Sequence, residues 1–385
     1  MSASSANHQK KILAIQQLRG VAVLLVVLVH TINIIDIRVD KGVDEDRGRI
    51  STFLALNEFG AAGVDLFFVI SGFVMALILA RAARPSHADF LRDRFIRIVP
   101  LFWIASAVFT MLSWAIGRHI PTAFIVTTIT VLPLNPLRYD WPVLVVGWSL
   151  GFELAFYLLV ASVLSASRPS ARLAGMLAFF AAATVLYPAR PGTLAILTNP
   201  IQLEFLWGIL AYVAYQKTKA ERWSAWLGAA SVFLGGSAIL HSCVSGFPFS
   251  ADYRAIIDGS SSLKRAIFWG LPWAAIVLGY LLLSNGKETQ SLPVGHRFLH
   301  FVGEASYSLY LTHLMFCLAA EVLLPPSLIH PDVVIAGTFV LACSGGILFY
   351  VLIELPLLRS LAPRKESTHL SPTPPFPPVR SGRAR

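Results

Sequence analysis

Ten stretches of this 385-residue chain are apolar enough and long enough to cross about 30 Å of hydrocarbon, and that succession excludes most folds at once. They centre on residues 12–36, 59–80, 98–116, 142–165, 171–188, 195–215, 223–240, 267–284, 300–324 and 332–356. In lipid every backbone N–H and C=O must be bonded within the chain, so segments of this length become helices. The expected fold is therefore all-α, a polytopic membrane bundle of about ten transmembrane helices. The balance of 56% hydrophobic against 14% charged residues, with a mean hydropathy of +0.66, agrees with no soluble class. The stretch 120–133 is too short to span and is bounded by prolines, so it is expected to lie at the interface or re-enter the membrane.

Basic residues test this topology independently. With the amino terminus inside, the inside segments hold twenty lysines and arginines and the outside loops hold ten, with Arg19 left within a helix. The positive-inside bias then places both termini in the cytoplasm. Topology and attraction to the lipid bilayer account for the net charge of +10, so no nucleic acid partner is expected. Residues 1–11 read as a cytoplasmic segment and 12–361 as the membrane domain. Residues 362–385, with the run Ser-Pro-Thr-Pro-Pro-Phe-Pro-Pro, read as a disordered cytoplasmic tail. The first apolar run is too long for a signal-peptide core and has no small-residue cleavage site before Asp36, so it is expected to be retained as a span.

Function is narrowed first by what is missing from the sequence. No hydrophilic segment exceeds a few tens of residues, so chemistry must use intramembrane side chains and short loops. Cys243, Cys317 and Cys343 are widely spaced and odd in number, which fits neither a disulfide framework nor a metal cluster; no metal site is expected. No internal repeat of the kind that builds many secondary transporters is visible.

Polar residues inside the apolar runs mark the candidate site. Arg19 and His30 are eleven residues apart, which returns a helix to nearly the same face about 16 Å farther along. An arginine in hydrocarbon costs about 3 kcal/mol even on the lenient insertion scale, so such a stripe should line a partly wet cavity. Asp65 lies at the depth of His30 and is the expected carboxylate that orients it as a base, against the alternative of a helix-start cap. Ser149, Glu153 and Tyr157 follow i, i+4, i+8 on one face, and Ser306, Tyr310 and His313 share another. Arg94 and Arg97, one turn apart at the inner entrance of the third span, suit a phosphate-rich ligand, or else serve as ordinary positive-inside anchors. Glu204 and Glu354 are weaker candidates, balanced between helix pairing and function.

Taken together these segments resemble the integral-membrane acyltransferase type 3 proteins, which O-acylate bacterial surface polysaccharides. The resemblance covers most of residues 13–358. It rests on Gln-Leu-Arg19-Gly with ten residues to His30, Gly63-Val-Asp65-Leu-Phe-Phe-Val-Ile-Ser-Gly-Phe73, Arg94-x-x-Arg97-Ile-x-Pro100, Trp148-Ser-Leu-x-x-Glu153-x-x-Phe-Tyr157, Ser306-Tyr-Ser-Leu-Tyr-Leu-x-His313 and Tyr350-x-x-x-Glu354-x-Pro356. Each motif is weak alone; six in one order are specific.

The resemblance implies a multi-pass protein of the bacterial inner membrane that transfers an acyl group, most commonly acetyl, from cytoplasmic acyl-CoA. The acceptor would be a hydroxyl of a polysaccharide or lipid-linked sugar, and acetyl-CoA would be a substrate rather than a bound cofactor. Arg19, Arg94 and Arg97 would hold the donor. His30, oriented by Asp65 or Glu153, would be the general base, and Ser149, Tyr157 or Tyr310 would hydrogen-bond the oxyanion. A glycan or lipid-linked-sugar transporter, with the polar stripe as its path, is the main rival reading. A structural partner of a synthase complex is another.

Overall fold

The computed structural model of the chain describes residues 3–40, 42, 46–81, 85–132, 141–186, 193–247, 252–257, 259–284, 294–324 and 329–361. The tail 362–385 lies outside the described residues, among which every regular element is helical. The main helices are α1 (Ala3–Asp40), α2 (Ala62–Leu79), α3 (His87–Ala115), α4 (Thr122–Thr130), α5 (Trp148–Val163) and α6 (Pro169–Leu186). They continue as α7 (Leu203–Thr218), α8 (Ser224–Ser245), α9 (Leu271–Ser284), α10 (Val294–Glu304), α11 (Ser306–Leu323) and α12 (Pro331–Phe349). A π turn, Ala266–Gly270, leads into α9, and a second, Tyr350–Glu354, succeeds α12.

Eight helical segments among the described residues are long and apolar enough to cross a membrane: Leu13–Asp40, Ala62–Leu79, His87–Ala115, Val145–Val163, Ser224–Ser245, Ser262–Ser284, Ser306–Leu323 and Pro331–Leu361. Two of the ten expected spans differ. The stretch 171–188 forms α6, which is not among the eight. The stretch 195–215 is interrupted, because Pro200 has no N–H to continue a helix and the Asn199 side chain accepts from the Ile201 amide at 3.0 Å. Beyond this break α7 has 16 residues and reaches about 24 Å. The segment 120–133 yields only the nine-residue α4, held to α3 by Trp103 Nε1 donating to the carbonyls of Thr128 and Ile129.

Small residues let the helices touch backbone to backbone, as lipid-embedded packing requires. At the α2–α7 crossing, a Cβ on Gly72 would meet the Phe205 carbonyl oxygen at 2.0 Å, and one on Gly208 would meet that of Val69 at 2.0 Å. Gly303 and Gly20 do the same between α10 and α1, with Gly303 opposite Gln16 and Gly20 opposite Leu299. That pairing, rising in one helix and falling in the other, makes them antiparallel. Arg172 shows how a buried cation is accommodated. It is 1% exposed and donates to the carbonyls of Ala166, Ser167, Leu79 and Arg81, closing the ends of α2 and α5. Large apolar side chains on α8, such as Trp226 and Phe233, stay on the outer surface where lipid would lie.

Candidate active site

α1, α2, α3, α5 and α11 enclose a cavity of about 120 Å³. Its wall includes Arg19 from α1, Ser71 from α2, and Arg94 and Arg97 from α3. Ser149, Glu153 and Tyr157 come from one face of α5, and Ser306 and Tyr310 from one face of α11. Eight of the eleven expected site residues therefore face one space; His30, Asp65 and His313 are not on its wall.

The cavity is electrostatically lopsided. Arg19 and Arg94 are half-buried and Arg97 is exposed at the rim, and among the described residues none of the three makes an ion pair. Arg94 stacks with its guanidinium carbon 5.6 Å from the ring centres of both Phe90 and Tyr157, and its Nε is buried without a hydrogen-bond partner. Glu153 is the carboxylate on the wall, and its Oε1 accepts from Tyr157 and, at 3.1 Å, from Ser71. Three guanidinium groups against Glu153 on the wall and Glu354 near Arg19 and Arg97 leave an excess of positive charge, and the planar forks suit phosphate. Farther along, Tyr310 donates to the Val146 carbonyl at 2.6 Å and lies 2.8 Å from Ser149 Oγ, so these two hydroxyls are engaged with the wall. The Ser306 hydroxyl has no described partner.

α11 connects this cavity to the histidines. Tyr307 donates to the Ile98 carbonyl at 2.8 Å, level with the arginines of α3, whereas His313, about 10 Å onward, meets His30. The two imidazole rings stand 4.8 Å apart, edge to face at 63°, and the Tyr310 ring is 6.2 Å from that of His313. His30 Nδ1 lies 2.8 Å from the Val26 carbonyl oxygen, which can only accept. Nδ1 therefore carries the hydrogen, and Nε2 of the neutral ring is left as an acceptor. The orienting group is thus a backbone carbonyl one turn earlier on the same helix.

Asp65, expected beside His30, is engaged elsewhere. Its two oxygens take a bidentate contact from Arg265, at 2.8 Å from Nε and 2.7 Å from Nη2, and both side chains are almost wholly buried. Arg265 also donates to the Ala61 carbonyl and lies over the Trp269 ring at 4.6 Å. Glu204, fully buried, joins the group beside Asp65. This cluster ties the beginnings of α2, α7 and the α9 segment together. Glu354, likewise buried, accepts from Ser308 at 2.5 Å. Sequence reasoning missed Arg265 and Ser71. Arg265 had one available signal, as a basic residue at the very foot of an apolar run.

Residues 12–353 match the family model described as "Acyltransferase domain". The chain belongs to this acyltransferase family. It is also similar to the exopolysaccharide production protein ExoZ of Rhizobium meliloti (strain 1021), 31% identical over 329 residues, covering 81% of this chain and 94% of that protein. No solved structure matches it. This multi-pass membrane acyltransferase thus has an arginine-lined cavity and, farther along α11, a pair of histidines.

Proposed function

We propose that the enzyme transfers an acyl group, acetyl in the commonest case, from acyl-CoA on the cytoplasmic side of the bacterial inner membrane to a hydroxyl of an exported polysaccharide. The observation that carries this reading is the cavity bearing Arg19, Arg94 and Arg97, none ion-paired among the described residues. Arg97 and Arg94 take the phosphates of the donor at the rim, and Arg19 continues the track inward. The slender acyl-carrying arm then runs along the wall toward Tyr310, the residue that both lines the cavity and touches His313. The acceptor is assigned from the name of the similar Rhizobium protein, which concerns exopolysaccharide production.

His30 Nε2 removes the proton of the acceptor hydroxyl as its oxygen attacks the thioester carbonyl. Collapse of the tetrahedral adduct breaks the C–S bond, and the departing thiolate recovers the proton from His30, giving ester and free CoA thiol. Direct transfer of this kind needs no protein nucleophile. Glu153, held by Tyr157 and Ser71, supplies the negative charge that keeps the arginine cluster from being left uncompensated before the donor arrives.

Donor binding tests the reading. In purified protein, Arg94→Ala and Arg97→Ala are expected to raise KM for acyl-CoA about 10- to 100-fold, the worth of a hydrogen bond to a charged group, and to flatten its salt dependence. Unchanged KM in both variants would overturn the assignment of the cavity to the donor.

A further inference from the structure

The cavity changes character from one end to the other. Contacts across it set three levels, each one helical turn, or about 6 Å, from the next. At the first, the Arg94 guanidinium lies over the Tyr157 ring at 5.6 Å. One turn back along α5, Glu153 accepts from Ser71 at 3.1 Å. A further turn back, Ser149 Oγ is 2.8 Å from the Tyr310 hydroxyl, and the Tyr310 ring stands edge to face with that of Phe67 at 6.1 Å and 75°. Buried polar atoms without a hydrogen-bond partner among the described residues belong to the first two levels: Arg94 Nε, and Ser306 Oγ one turn before Tyr310 on α11. At the third level the hydroxyls of Ser149 and Tyr310 both donate to the Val146 carbonyl or bond each other, and the rest of the wall is apolar, from Val64, Phe67, Phe68 and Leu150.

A ligand that follows this gradient carries anions at one end, amides or hydroxyls in the middle and an apolar tip, the order of phosphates, amides and acyl group along acyl-CoA. The apolar end is closely walled. Between α1 and α2 the backbones touch, since a Cβ on Gly63 would meet the Ala22 carbonyl oxygen at 2.4 Å. Between α2 and α5 the rings of Phe68, Trp148 and Phe152 pack together with centroids 5.9 to 6.4 Å apart. Toward α11 the wall is the Phe67–Tyr310 pair, in which Tyr310 is pinned by its hydroxyl and Phe67, half-buried, has only its ring contacts. The geometry points to Phe67 as the residue that sets the length of the transferred acyl group, which lies against its ring with the thioester level with Tyr310, three residues or about 4.5 Å before His313 on α11. This rests on the reading of the cavity as the donor site and adds the part of the donor that its apolar end takes. Packed interiors have little slack, so each methylene beyond a short acyl group meets the Phe67 ring.

Competition between acetyl-CoA and butyryl-CoA, carrying different labels and transferred to polysaccharide in one membrane preparation, reads the ratio of their kcat/KM values whatever fraction of the protein is folded. Wild type is expected to favour acetyl at least about 10-fold, the low end of what one unwanted methylene costs in a fitted pocket. Phe67→Ala is expected to reduce that preference at least about 10-fold, and Phe67→Leu, which removes less of the wall, at least about threefold. Met75→Ala, which opens the wall one turn beyond Ser71 toward the arginines, should leave the preference within about twofold of wild type. Equal use of both donors by wild type, an unchanged preference in the Phe67 variants, or the same relaxation in Met75→Ala would overturn the inference. Should Phe67→Ala not fold, Phe67→Leu decides it alone. Transfer from neither donor by any of the proteins would instead overturn the underlying reading of acyl-CoA as the donor, a result distinguishable from transfer with an unaltered preference.

Discussion

Replacing Asp65 with asparagine removes one charge from a pair that is almost wholly out of water and leaves Arg265 without its bidentate carboxylate. Breaking a buried pair from one side typically costs about 3–5 kcal/mol, so Asp65→Asn is expected to lower the melting temperature and the yield of folded protein in detergent. The double variant Asp65→Asn/Arg265→Met should lose less than the sum of the two single changes, which a double-mutant cycle on thermal melts would read. The same residue marks the limit of what the sequence discloses. Helical spacing gives the face and depth of a side chain on its own helix, which is why Ser149, Glu153 and Tyr157 share the cavity wall as their spacing predicts. It says nothing about which face of another helix lies opposite. Asp65 and His30 share a depth, but the partner of Asp65 is 200 residues away along the chain. The orienter of His30 was hidden for a different reason, being a backbone carbonyl that every residue possesses.

Helix crossings set the next level of constraint. Gly72→Ala and Gly208→Ala each push a methyl group into a backbone carbonyl of the facing helix, and overpacking of this kind costs about 1–3 kcal/mol. Both should melt earlier than wild type. Gly236, on α8, has nothing within 4 Å of where a Cβ would sit. Gly236→Ala should therefore be neutral or up to about 1 kcal/mol more stable, as for alanine replacing glycine in a helix interior. If all three behaved alike, close backbone approach would not be what these glycines provide. Hydropathy located the spanning helices because burial in lipid demands it, and eight segments among the described residues meet that demand. It reads 195–215 as one span because the stretch is apolar throughout. The break there comes from the local chemistry of Asn199 and Pro200, which a hydropathy window averages away.

For the whole molecule, the proposed function gives opposite ends of the bundle opposite roles, donor entry at Arg94 and Arg97 and acceptor access near His30. The charge bias of the sequence predicts that the arginine end faces the cytoplasm. In a background with Cys243, Cys317 and Cys343 replaced by alanine, His87→Cys before the arginines should react with a membrane-impermeant maleimide only from the cytoplasmic side. His119→Cys, beyond the far end of α3, should react only from outside. The reverse pattern would put the donor end on the wrong side. The central claim of the proposed function is that a base within the membrane moves an acyl group from CoA to a glycan hydroxyl. The most direct test is transfer of radiolabel from acetyl-CoA to polysaccharide in membranes carrying wild-type protein or His30→Gln at matched abundance. Label that appears with wild type and falls at least about 100-fold with His30→Gln is the predicted result. Equal labelling by both proteins would contradict it.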